Sequence, residues 1–140
     1  MIAFLIDADH LSAPEWVEEA YRTLEAAHGL LSIRRAYGSA AHLKAMADVL
    51  RSRAIRPFVN LALTKHATDV ALAVDAMEPA CQTPRPTVMV IGSGDADFLP
   101  LVGRLRERGI GVIACLTGTR SPPTRMLHVT KLLLSGRNKP

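Results

Sequence analysis

Only two of the 140 residues are cysteine, Cys81 and Cys115. They match no CxxC or zinc-ligand spacing, which excludes a cysteine-based metal site and points to a reducing, cytoplasmic compartment. Aromatic residues make up 4% of the chain, too few for the stacking platform of a single-strand-binding module. No apolar run approaches the ~20 residues of a membrane span. The first residues carry neither a basic n-region nor a cleavage pattern, so no signal peptide is expected. Internal repeats and low-complexity segments are absent. What remains is 49% hydrophobic and 21% charged, an ordinary globular composition. The length suits one domain with one core, expected over residues 1–135, with a basic tail at 136–140 that frays. The formal net charge is +4. A basic chain is expected to meet a polyanion such as nucleic acid, although mild basicity alone is common in domains without that role.

The acids are unevenly placed. Ile2-Ala3-Phe4-Leu5-Ile6 runs into Asp7-Ala8-Asp9, and Val88-Met89-Val90-Ile91 runs into Gly92-Ser93-Gly94-Asp95-Ala96-Asp97. Short apolar runs bounded by turn residues read as buried parallel strands. Each therefore delivers two carboxylates at its C-terminal tip, where open α/β sheets bind ligands. Four carboxylates in one place repel one another unless cations or protons offset their charge.

Strand and helix signals alternate along the chain, the pattern of a parallel α/β sheet. Strands are expected at Ile2–Ile6, Leu31–Tyr37, Ile55–Val59, Val88–Ile91 and Val112–Leu116. Helices are expected from a Ser12 cap to His28, over Ala41–Arg53, Val70–Met77 and Phe98–Arg108, and at Thr124–Leu134. The Val70–Met77 segment is apolar nearly all round, which predicts burial. Right-handed crossovers admit the strand order 3-2-1-4-5. The expected architecture is a single-domain, three-layer α/β/α fold with a parallel five-stranded sheet. Winding reverses between strands one and four, so both acidic tips line one crevice.

Mg²⁺ and Mn²⁺ favour hard oxygen ligands. Two such ions roughly 3.5–4 Å apart stabilise both oxygens of an in-line phosphoryl displacement, and a single ion can activate a water. Asp7 and Asp95, at or near strand ends, are the leading ligand candidates. Asp97 can ligate or cap the next helix, and Asp9 can serve the site or a turn. Asp69 lies where the apolar helix begins and fits either a ligand or an acid favoured by the helix dipole. Asp75 falls about 120° around that helix from Asp69, so the two do not share an ion, and its partner is not evident. Lys65, His10 and Ser93 are candidate contacts for phosphate or carboxylate, each with an ordinary solvated or structural alternative. Arg120 and Arg125 flank Pro122-Pro123 and can meet a nucleic-acid backbone, the alternative being a solvated loop.

Four segments, LIDAD at 5–9, RAYG at 35–38, TKHATDVALAVDAM at 64–77 and SGDADFLPLVGRLRERG at 93–109, together resemble the NYN domain, a LabA-like branch of the PIN-domain nucleases. The resemblance implies a PIN-like sheet of order 3-2-1-4-5 and a metal-dependent ribonuclease, a hydrolase that cuts RNA with Mg²⁺ or Mn²⁺. It assigns the catalytic and metal-binding role to Asp7, Asp69, Asp95 and Asp97, and family habit suggests a homodimer. His10 and His66 stand where the family commonly has Asn, and an imidazole does not reproduce both amide roles. The sequence ends soon after its last expected helix, so the RNA-binding appendages of some relatives are not expected. Two other readings stay open. One is a PIN-like module that binds RNA or a partner without cutting. The other is a haloacid-dehalogenase-type phosphatase, which also begins hhhDxD but wants a hydroxyl residue after the second Asp, where this chain has His10 and Leu11. A receiver domain is disfavoured, since Phe58-Val59-Asn60 offers no phosphoacceptor Asp.

Overall fold

The computed structural model describes residues 1–61, 66–93, 96–117 and 124–128. Among the described residues, six strands form one sheet: β1 (Ile2–Asp7), β2 (Ile33–Gly38), β3 (Arg56–Val59), β4 (Val88–Gly92), β5 (Gly111–Thr117) and β6 (Thr124–His128). The spatial order is β3-β2-β1-β4-β5-β6. The first five strands are parallel in the expected order 3-2-1-4-5, and β6 adds an antiparallel edge beside β5. The helix expected at Thr124–Leu134 is therefore corrected: residues 124–128 are strand, and 129–134 lie outside the described residues, as does the tail at 136–140. Thr124-Arg125-Met126-Leu127-His128 mixes helix and strand formers, and its pairing with β5 decides its conformation.

Every residue of β1 is buried, as expected for a central parallel strand. Its side chains alternate between two cores. Phe4 and Ile6 face the cluster formed with Val17, Tyr21 and Leu24 of α1 (Pro14–His28). Leu43 of α2 (Ala40–Ala45) and Val49 of α3 (Ala47–Ser52) join that cluster. Ala3 and Leu5 face the opposite cluster, formed with Leu72 and Ala76 of α4 (Ala67–Ala80) and with Leu101, Val102 and Leu105 of α5 (Leu99–Glu107). Asp7 continues the odd-numbered series, so its carboxylate belongs to the α4/α5 face.

Three local expectations are revised. The helix expected at 41–53 is two short ones that meet at Met46, whose φ of −109° and ψ of 22° leave the helical region. Ala13, not Ser12, occupies the N-cap of α1, with Pro14 in its first turn. α4 is not buried all round: Leu72 and Ala76 face the sheet, whereas Val70 and Val74 are exposed. Its apolar residues exceed what one sheet face can cover.

Gly92 ends β4 under close constraint. A Cβ there would lie 3.2 Å from the Ile6 Cα, the Leu11 Cδ2 and the Phe4 Cε1. Glycine lets β4 pair tightly with β1, with Gly92 opposite Ile6.

Candidate active site

The topology brings three acids to one place. Asp7 is the last residue of β1, Asp69 lies in the first turn of α4, and Asp97 lies in a 3-10 turn (Ala96–Phe98) that leads into α5. Phe98 takes the N-cap of α5, so Asp97 is not that helix's cap. Ligand atoms of Asp7, His10 and Asp69 lie within 4.8 Å of one another, and so do those of His66, Asp69 and Asp97. Asp69 is common to both groups. The His66 Nδ1 lies 3.6 Å from the Asp69 Oδ2 and 3.9 Å from the Asp97 Oδ2. Asp69 is mostly shielded, whereas His66 and Asp97 stand at the rim with about two thirds of their side chains exposed (64% and 63%).

Asp7 is completely buried. Its Oδ1 accepts from the Asp9 N–H at 3.1 Å, while its Oδ2 receives no hydrogen bond among the described residues. The His10 Nε2 stands 3.7 Å from that oxygen. Burial lifts the Asp7 carboxyl to a pKa of about 6. His10 opposes the rise, and the Asp69 charge adds to it. A buried carboxylate with one unsatisfied oxygen is costly by itself, a cost that a proton or a bound cation offsets.

Asp9 has a different position. Its Oδ1 accepts from the Ser39 N–H at 3.0 Å and from the His42 Nδ1 at 2.7 Å, and its Oδ2 accepts from the Thr68 hydroxyl at 2.7 Å. An ionised carboxylate only accepts, so the His42 Nδ1 carries the proton. Asn60 in turn donates to the Thr68 Oγ1 at 3.0 Å. Burial pushes the Asp9 carboxyl up, but the bonds from Thr68, Ser39 and His42 outweigh it and hold the group below its ordinary range. Asp9 thus ties the β1 tip to the start of α2 and to the first turn of α4. Gly38 makes room for it, since a Cβ there would lie 3.1 Å from the Asp9 Oδ1.

Asp75 has the partner that the sequence left unnamed. The Tyr37 hydroxyl donates to its Oδ2 at 2.8 Å, and the Tyr37 ring stacks on Phe58 with centroids 4.9 Å apart. Burial, followed by the Asp75 bond, drives the Tyr37 hydroxyl well above its ordinary pKa. Asp69 and Asp75 occupy different sides of α4, in agreement with their spacing.

Ser93 is buried one residue beyond β4. Since Gly92 pairs with Ile6, Ser93 lies at the level of Asp7. Asp95, Lys65 and Arg120 lie outside the described residues, and Arg125 is placed only as a backbone position in β6. Sequence reasoning missed Thr68, Ser39, His42 and Asn60. The hydroxyl inside His66-Ala67-Thr68-Asp69 was the available signal, but its acceptor lies 59 residues away.

No described helix is long and apolar enough to cross a membrane. No curated protein matches the chain. Residues 1–132 match the NYN domain, a PIN-like nuclease family whose fold agrees with the sheet order. The chain belongs to the NYN domain family.

Proposed function

We propose that this protein is a divalent-metal-dependent endoribonuclease that hydrolyses phosphodiester bonds of single-stranded RNA. The observation that carries the reading is the buried Asp7 Oδ2, which lacks a donor among the described residues and lies in one cluster with Asp69. Asp7, Asp69 and Asp97 are the residues that would hold Mg²⁺ or Mn²⁺, and Asp95, outside the described residues, is assigned to the same set only by the sequence resemblance. The bound ion would supply charge neutralisation at the phosphoryl group and activation of water.

The protein's own groups do the rest. Asp7 and Asp69 give the cleft its negative charge and its fixed geometry, since both carboxylates are shielded and sit on rigid elements. His66, at the exposed rim, is available to a substrate phosphate or ribose hydroxyl. Lys65, Arg120 and Arg125 are proposed to contact the RNA backbone, and Ser93 to orient a carboxylate or phosphate oxygen. Asp9 accepts from three donors, which suits it to support of the site rather than to ligation. The same commitment counts against a phosphatase, in which the second acid of hhhDxD must be available to the substrate.

The test is incubation of purified protein with single-stranded RNA and Mn²⁺ or Mg²⁺, beside Asp7→Asn and Asp69→Asn. Cleavage that needs the metal and is lost in both variants supports the assignment. Cleavage that survives both removes it. RNA binding without cleavage under any of these conditions favours a non-catalytic PIN-like module.

A further inference from the structure

We propose that His10 is a nitrogen ligand of the cation held between Asp7 and Asp69, and that the site therefore selects a first-row transition ion such as Mn²⁺ over Mg²⁺. This rests on the reading of the cleft as a cation site and adds a ligand and a class of ion to it.

Three observations converge. The ligand atoms of Asp7, His10 and Asp69 lie within 4.8 Å of one another. The His10 Nε2 and the Asp7 Oδ2 are 3.7 Å apart, beyond hydrogen-bond range. Two donors that each lie roughly 2.0–2.2 Å from one ion are separated by about 3–4 Å, so the spacing fits a shared cation. The Asp7 Oδ2 is fully buried and accepts no hydrogen bond among the described residues, which makes it the unsatisfied member of the group.

The backbone explains why the imidazole is there. The His10 N–H and the Leu11 N–H both donate to the Asp7 carbonyl, at 3.1 and 2.8 Å. That turn brings residue 10 back over residue 7, and the buried Leu11 side chain anchors it. Two carboxylates alone would suit Mg²⁺, which prefers oxygen and keeps its waters. An imidazole in the same set shifts preference from Mg²⁺ toward first-row transition ions, among which Mn²⁺ is the one best suited to the accompanying carboxylates.

The experiment is titration of Mn²⁺ alone into the full chain, followed by electron spin resonance, with electron spin-echo envelope modulation on the bound ion. Expected are a ¹⁴N modulation from a directly bound imidazole and its loss in His10→Asn. Expected too is a fall in Mn²⁺ affinity of about tenfold or more, with Mg²⁺ affinity changing only about twofold. His66→Asn, which removes the neighbouring imidazole, keeps the modulation. The His10 side chain is 55% exposed, so its replacement leaves the core intact, and circular dichroism verifies the fold. Bound Mn²⁺ without ¹⁴N coupling, or coupling that survives His10→Asn, overturns the ligand and leaves the cation site standing. Mg²⁺ that displaces Mn²⁺ at comparable concentration overturns the selectivity. Absence of Mn²⁺ binding at millimolar concentration overturns both readings. Nitrogen-coupled Mn²⁺ in a protein that cuts no RNA keeps the ligand and removes the nuclease.

Discussion

The Thr68 hydroxyl donates to the Asp9 carboxylate at 2.7 Å across 59 residues of sequence. This bond fixes the first turn of α4 against the tip of β1, and Asp69 is the next residue. Replacing Thr68 by Val keeps the shape and deletes the donor. It also removes one acceptor of the Asn60 amide. Thr68→Val is expected to cost about 1.5–3 kcal/mol in urea unfolding, the range for losing a hydrogen bond to a charged group. Thr68→Ser, which keeps the hydroxyl, is expected to recover most of it.

Asp7 predicts an unusual pH dependence. Its folded pKa of about 6 exceeds its ordinary value of 3.8. The unfolded chain therefore ionises first as pH rises, and this one group removes stability between about pH 4 and pH 6, opposite to a salt-bridged Asp. Without metal, the stability gap between Asp7→Asn and the wild type is expected to move in the variant's favour between pH 4 and pH 7. A shift of this size amounts to roughly 2–3 kcal/mol. Urea titrations in chelator at both pH values measure it, and a gap that stays flat contradicts the buried, donor-poor environment.

Tyr37 and Asp75 separate the structural side of α4 from its site side. Tyr37→Phe removes only the hydroxyl bonded to Asp75. A loss of about 0.5–1.5 kcal/mol in stability is expected, with Mn²⁺ affinity unchanged by calorimetry. A marked loss of metal binding would show that Asp75 acts on the ion.

Gly92→Ala tests the contact of β4 with β1. Its Cβ would meet three atoms at 3.2 Å, one of them the Ile6 Cα, which cannot rotate away. Overpacking of this kind costs about 1–3 kcal/mol, readable as a lowered urea midpoint.

The local pattern of this chain carried much of the fold. The run Ile2–Ile6 announced a buried strand, and the strand order was one that crossover handedness admits and the family resemblance implies. The same alternation that buries Phe4 and Ile6 on one face sends Asp7 to the other, so the first acid of the site was legible from β1 alone. Asp69 was legible as a first-turn acid of an apolar helix and Asp97 as a cap or site acid of the next one, but that they gather is visible only in the fold. The commitment of Asp9 was hidden because its donors, Ser39, His42 and Thr68, come from segments 30 to 59 residues away. The conformation of Thr124–His128 was hidden for the same reason, since a neighbouring strand selects it. Val70 and Val74 misled in the opposite way: apolar composition signals burial, but a helix on one sheet face buries only one side.

The central claim is that Asp7 and Asp69, 62 residues apart in sequence, hold one cation. Crystals soaked in Mn²⁺ and measured at the manganese edge test it most directly. The account predicts an anomalous peak about 2.0–2.3 Å from a carboxylate oxygen of each residue, distances typical of divalent ions on oxygen ligands. Peaks confined to exposed acids such as Glu15 or Asp48, with none between Asp7 and Asp69, would contradict it.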